Sequence, residues 1–110
     1  MSTLEKLRID KWLWAARFYK TRSLAATEVG KGRIDVNGQP CTKPAREVKV
    51  GDRLTIRQER MNRVVEIKAL SAVRGPAPVA QLLYEETPES IQAREAEKER
   101  RRLANEPADT

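Results

Sequence analysis

Residues 8–38 read RIDKWLWAARFYKTRSLAATEVGKGRIDVNG, and this stretch sets the fold. Ile9, Trp12, Leu13, Ala16 and Tyr19 recur at about 100° per residue, so they share one face of a helix predicted over residues 9–19. Arg8, Lys11 and Phe18 flank that stripe, with Asp10, Trp14 and Arg17 on the opposite surface. The polar run Lys20-Thr21-Arg22-Ser23 then offers Thr21 or Ser23 as the cap of a second helix over 24–31, which Gly32 is placed to end in the left-handed conformation.

Working outward, Arg33-Ile34-Asp35-Val36 alternates as a strand and meets Asn37-Gly38, the dipeptide suited to a two-residue hairpin turn. Pro40 keeps the return strand short or at an edge, and Pro44 closes it. Val48, Val50, Leu54 and Ile56 flank Gly51-Asp52 as a second strand–turn–strand, and a further strand is predicted over 63–70. Gly75-Pro76-Ala77-Pro78 breaks regular structure, and the apolar run 79–84 reads equally as helix or strand. Thr87-Pro88-Glu89 starts a charged helix to about residue 104, with only Ile91 and Leu103 as large apolar residues; residues 105–110 are expected to be disordered. The fold class is therefore α+β: two packed N-terminal helices, a small, mostly antiparallel sheet and a C-terminal charged helix. Three segments follow, a core over 7–56, an added strand and packing segment over 57–84, and the charged helix and its end over 85–110.

Composition narrows function. The 110 residues carry 22 Lys and Arg against 16 Asp and Glu, for a net charge of +6, with one Cys and no His. Absence of His removes the commonest general base and zinc ligand, and a lone Cys41 can form neither an internal disulfide nor a multi-cysteine metal site. Most hydrolase and metalloenzyme mechanisms are therefore disfavoured, carboxylate chemistry stays open, and no metal or cofactor is expected. Residues 1–56 hold a charge of +6, 57–83 hold +3 and 84–110 hold −3, so an anion is expected to bind the first half. Residues 1–6 are charged and no 18-residue apolar run occurs, which indicates neither export nor membrane insertion; a reducing cytoplasm suits the single thiol.

Arg8, Lys11, Arg17, Lys20, Arg22, Lys31 and Arg33 concentrate on the helix–turn–helix–hairpin unit, and the start of the second helix adds free N–H groups beside Thr21 and Ser23. Asp10 has no second acid or His near it in sequence and is read as holding Arg17 or a local N–H. Trp12 is read as core, and Trp14 as packed rather than exposed for base stacking. Cys41 is read as an inert, packed thiol.

Arg8-Ile9-Asp10-Lys11, Leu13, Ser23, Gly32, Val36-Asn37-Gly38, Lys43-Pro44 and Gly51-Asp52 resemble, in order, the motifs of the S-four RNA-binding domain. The flanks Lys11-Trp12-Leu13-Trp14-Ala15-Ala16-Arg17 and Leu83-Tyr84-Glu85-Glu86-Thr87-Pro88-Glu89-Ser90 are similar to those of the 15-kDa heat-shock protein family of bacteria. That resemblance implies a non-enzymatic protein that binds ribosomal RNA of the large subunit and acts where a stalled subunit still carries peptidyl-tRNA. The RNA-facing residues it implies are Arg8, Lys11, Arg17, Lys20, Thr21, Arg22, Ser23, Lys31 and Arg33, together with Lys43. Family members often continue into a longer basic tail, whereas this sequence stops at Thr110 after an acidic-rich helix. The free chain is read as a monomer with no membrane partner. The rivals are a general DNA or nucleoid binder, which the same charges allow, and an RNA-modifying enzyme, for which the chain has no room.

Overall fold

In the computed structural model, residues 5–58 and 61–105 are described. A two-residue strand β1 (Leu7–Arg8) runs directly into helix α1 (Ile9–Ala15), and a polar turn leads to α2 (Arg22–Gly30). Strands β2 (Ile34–Val36), β3 (Gln39–Cys41), β4 (Glu47–Val48), β5 (Arg53–Gln58) and β6 (Met61–Ile67) follow. The run left open in sequence resolves into α3 (Ala77–Ala80), a 3₁₀ turn (Gln81–Leu83) and β7 (Tyr84–Glu86), before α4 (Pro88–Asn105). Five strands form one antiparallel sheet in the order β3-β2-β5-β6-β7, while β1 and β4 pair separately. The α+β class expected from the sequence is the one observed.

Both helix ends of the first unit are built the same way from different residues. At the end of α2, Gly32 has φ +79°, its N–H donates to the Val29 carbonyl, and the Arg33 N–H reaches back to the Glu28 carbonyl at 3.2 Å. At the end of α1, Arg17 takes φ +66°, its N–H donates to the Trp14 carbonyl, and the Phe18 N–H reaches the Leu13 carbonyl at 3.0 Å. The first helix therefore stops at Ala15 rather than continuing to Tyr19. A non-glycine residue rarely takes that conformation, so periodicity alone ran past the break. Tyr19 is buried all the same, beyond the helix, and burial, with Glu28 adding and Arg33 opposing, pushes its hydroxyl up to about 12.

The Asn37-Gly38 hairpin forms as expected, with both residues at positive φ and β3 short, carrying Pro40 at the sheet edge. The second strand–turn–strand does not form a hairpin. β4 instead pairs with β1, Leu7 opposite Val48, while β5 pairs with β2 and β6. Gly51 and Asp52 bridge instead to the end of β6, through Gly51 N–H to the Ile67 carbonyl and Ile67 N–H to the Asp52 carbonyl. Asn37 ties the two turns together: its Nδ2 donates to Asp52 Oδ1 at 3.2 Å and its Oδ1 accepts the Arg53 N–H at 2.9 Å. Asp52 Oδ2 also accepts the Lys49 N–H. The strand predicted to Leu70 ends at Ile67, because the Lys68 and Ala69 N–H groups turn to the Leu83 carbonyl.

Ile34, Val36, Leu54, Ile56, Val65 and Ile67 fill one face of the sheet, in register across β2, β5 and β6. Ile9, Trp12, Leu13, Ala25 and Val29 from the two helices join the same core. Trp12 is fully buried, donates from Nε1 to the Ala69 carbonyl at 3.0 Å, and stacks on Phe18 at 5.9 Å between centroids. Trp14 is half buried against this core and Cys41 is buried, as expected of both.

The charged helix is docked at its base. Thr87 Oγ1 accepts the Ser90 N–H, and the buried Ser90 hydroxyl accepts the Val64 N–H and donates to Glu86. Arg94 makes two hydrogen bonds to the same Glu86 carboxylate. Further on, Glu97 pairs with Arg100 and Arg101 and Glu99 with Arg102 along the helix itself. The molecule consequently measures 64 Å along its longest axis and 28 and 24 Å across. Residues 106–110, most of the expected disordered end, lie outside the described residues.

Replacing Asn37 by Ala removes both bridging hydrogen bonds at a positive-φ position and is expected to cost about 2 kcal/mol in urea unfolding. Burial alone would raise the Glu86 carboxyl, but hydrogen bonds from Arg94 and Ser90, with the charges of Arg94 and Arg63, bring it below its ordinary 4.5. A depressed carboxyl contributes stability that is complete above the ordinary value and lost as the pH falls through the folded one. The urea midpoint is therefore expected to be level above about pH 5 and to drop in acid. In Arg94→Ala the acid drop should shrink.

Candidate nucleic-acid interface

The best-defined element of the basic surface is a carboxylate. Asp10, in the first turn of α1, is only 3% exposed. Arg8 grips it with two hydrogen bonds, Nε to Oδ1 at 3.1 Å and Nη2 to Oδ2 at 2.9 Å. Arg22, the first residue of α2, places Nη2 3.8 Å from Oδ1. One buried acid thus draws together arginines from the start of each helix while their side chains stay about half exposed. The sequence reading puts Asp10 on the outer surface, holding Arg17 or a local N–H. Arg17 instead donates to the Gly75 carbonyl at 3.0 Å. The end of α1 at Ala15 sends residue 17 away from the first turn.

The energetics are asymmetric. Half-exposed guanidinium groups stay hydrated if Asp10 is lost, but a buried carboxylate stripped of both arginines is costly. Asp10 is therefore best understood as holding Arg8 and Arg22 in place.

The remaining sequence-selected residues distribute around this pair. Lys11 follows Asp10 in α1 and is half exposed; Lys20, Thr21 and Ser23 are exposed beside Arg22. Thr21 is the cap of α2, its Oγ1 accepting the Leu24 N–H at 3.0 Å. The first turn of α2 carries no acid of its own, and the acid beside it, Asp10, is shared between two arginines. Lys43 lies on a loop folded against the start of α1, whose Ile9 N–H donates to the Arg46 carbonyl and Asp10 N–H to the Pro44 carbonyl. Lys31 and Arg33 sit apart, past the far end of the nine-residue α2, and Lys31 pairs with Glu28. The structure thus gathers Arg8, Arg22 and their chain neighbours and separates Arg17, Lys31 and Arg33 from them.

Arg46 was missed. It is exposed on the same loop as Lys43 and makes no ion pair with a described residue. Its link to Arg8 runs through backbone hydrogen bonds between distant segments, which side-chain patterns do not reveal. Among the described residues, no three His, Cys, Asp or Glu side chains cluster as a metal site requires, and no helix is long and apolar enough to cross a membrane.

Comparison with known proteins agrees with the fold. The S4 domain matches residues 7–54, which contain both helices, the Asn37 hairpin and the Asp52 turn. Heat shock protein 15 of Escherichia coli is 50% identical over 90 residues, covering 82% of this chain and 67% of the relative. A shorter likeness, 43% over 51 residues, covers 46% of this chain and 58% of the RQC P-site tRNA stabilizing factor of Bacillus subtilis. Among solved structures, the trimeric heat shock protein 15 of Vibrio cholerae superposes with a TM-score of 0.85 at 47% identity, over 90% of this chain and 99% of that one. With its motifs, its fold and most of its length shared in this way, the chain belongs to the heat shock protein 15 family of S4-type RNA-binding proteins.

Proposed function

We propose that this chain is a non-enzymatic, cytoplasmic protein that binds ribosomal RNA of the large subunit, recognises stalled subunits carrying nascent chain-tRNA and aids their recycling or quality control. The observation that carries this reading is the surface at the two helix starts, where Asp10 holds Arg8 and Arg22 beside the N-terminus of α2, whose first turn carries no acid. Fixed cations and free N–H groups suit phosphates in a folded RNA better than they suit base edges. The Bacillus relative, named for stabilising a P-site tRNA, supports placing that RNA on a ribosome holding tRNA. Arg8, Lys11, Lys20, Thr21, Arg22, Ser23 and Lys43 form the proposed contact, with Arg46 added and with Arg17, Lys31 and Arg33 as outlying contacts.

Equilibrium binding to large-subunit ribosomal RNA, duplex DNA and a single strand at matched salt tests the reading. Preference for the ribosomal RNA is expected, and equal affinity for all three would favour a general nucleic-acid binder. The paired substitution Lys11→Gln and Arg22→Gln should lower the salt slope of RNA binding by about 2 while thermal unfolding stays cooperative. Gln is the better replacement because a Glu at position 22 would face Asp10. Asp10→Asn keeps the shape but releases both arginines, and is expected to weaken RNA binding about tenfold, or ~1.4 kcal/mol. Sedimentation of the free chain distinguishes the monomer expected from sequence from the trimer of the Vibrio relative.

A further inference from the structure

Arg17 is unexplained by the helix-start surface. It adopts a left-handed backbone where glycine is usual, and the Schellman end it forms would be less strained with glycine. Its guanidinium, held by the Gly75 carbonyl, stands at the rim of a depression of about 220 Å³ between the end of α1 and the α3–β7 segment. Phe18 and Tyr84 contribute aromatic walls, with centroids 4.8 Å apart and both rings half buried. Arg63, on β6, supplies a second cation, and Gln81 a donor and acceptor. The Nε of Arg63 is buried, and no acceptor among the described residues reaches it. The nearby Glu86 carboxylate is already occupied by Arg94 and Ser90.

An unmet buried donor is costly, and a second cation lies at the same wall. Aromatic rings with flanking arginines are the combination that takes an unstacked base together with its phosphate. The volume is below the 300–1,000 Å³ typical of sites for larger ligands, which suits one base rather than several. We infer that the Arg17–Phe18–Arg63–Gln81–Tyr84 depression is a second RNA site, which captures a single unpaired nucleotide: the base lies against Phe18 and Tyr84, Gln81 meets its polar edge, and Arg17 and Arg63 hold the phosphate. The site would add a single-strand contact to the phosphate surface of the helix starts. It rests on the reading that the chain binds RNA, but not on which RNA.

Titrating the isotope-labelled full chain with a single-stranded adenosine pentaribonucleotide, with AMP and with inorganic phosphate tests this by NMR. The expected result is saturable shifts at Phe18, Arg63, Gln81 and Tyr84 with the pentanucleotide and AMP, and much weaker ones with phosphate alone. Phe18→Leu, which keeps apolar volume against Trp12, should weaken pentanucleotide binding about fivefold or more. Arg63→Gln should abolish the shifts at Tyr84 and Gln81. If Arg63→Gln fails to fold, the wild-type shift map alone decides. Shifts confined to α1 and α2, equal shifts with phosphate alone, or displacement by an apolar peptide but not by AMP would each overturn the site. Because these shifts are read at the depression, they can fail while ribosomal RNA binding and its dependence on Lys11 and Arg22 persist.

Discussion

The burial of Trp12 is the constraint on which the rest of the molecule depends. In a chain with five aromatic residues, the indole is fully buried, hydrogen-bonded to Ala69 and packed against Phe18 and Tyr84, so it joins α1 to the sheet's edge strand β7 and to the segment that leaves β6. Once that face of α1 is committed inward, its first turn is fixed beside α2 and the Lys43–Arg46 loop. The Asp10 carboxylate then has two arginines within reach and little contact with water. The core thus determines which cations meet.

Charge is consequently divided by structure as well as by sequence. Arg57 and Arg94 are consumed by Asp35 and Glu86, and those pairs hold both acids below the ordinary carboxylate range. The arginines of the distal α4 pair with glutamates of the same helix, which leaves that helix close to self-neutralised. The cations without a described acidic partner include Lys11, Lys20, Lys43 and Arg46, all on segments that meet at the helix starts. A net charge of +6 therefore understates the local field there.

Local chemistry was legible in the sequence where one residue type decides one conformation. Asn37-Gly38 gave its hairpin, Gly32 its helix end, Thr21 and Thr87 their caps, and Pro40 its edge strand. The S4-type motifs also find a physical reason, since Asn37 and Asp52, fifteen residues apart, are hydrogen-bonded to one another. What was not legible depended on rare conformations or remote partners. Arg17 ends α1 in a shape that few non-glycine residues adopt, which hid the helix boundary, the true partners of Asp10 and the depression lined by Arg63. Val48 alternates as though it belonged to a hairpin, but its partner is Leu7, 41 residues earlier, and alternation carries no information about pairing.

Lysine reactivity measured on the chain bound to purified large ribosomal subunits reads the proposed surface most directly. Brief acetylation followed by mass spectrometry should show Lys11, Lys20 and Lys43 protected relative to the free chain. Lys68, which faces Glu66 and Glu85, and Lys98, on the projecting helix, should react equally in both states. Full reactivity of Lys11 and Lys20 on the subunit, with protection at Lys68 or Lys98 instead, would contradict binding through the Asp10-held arginine surface.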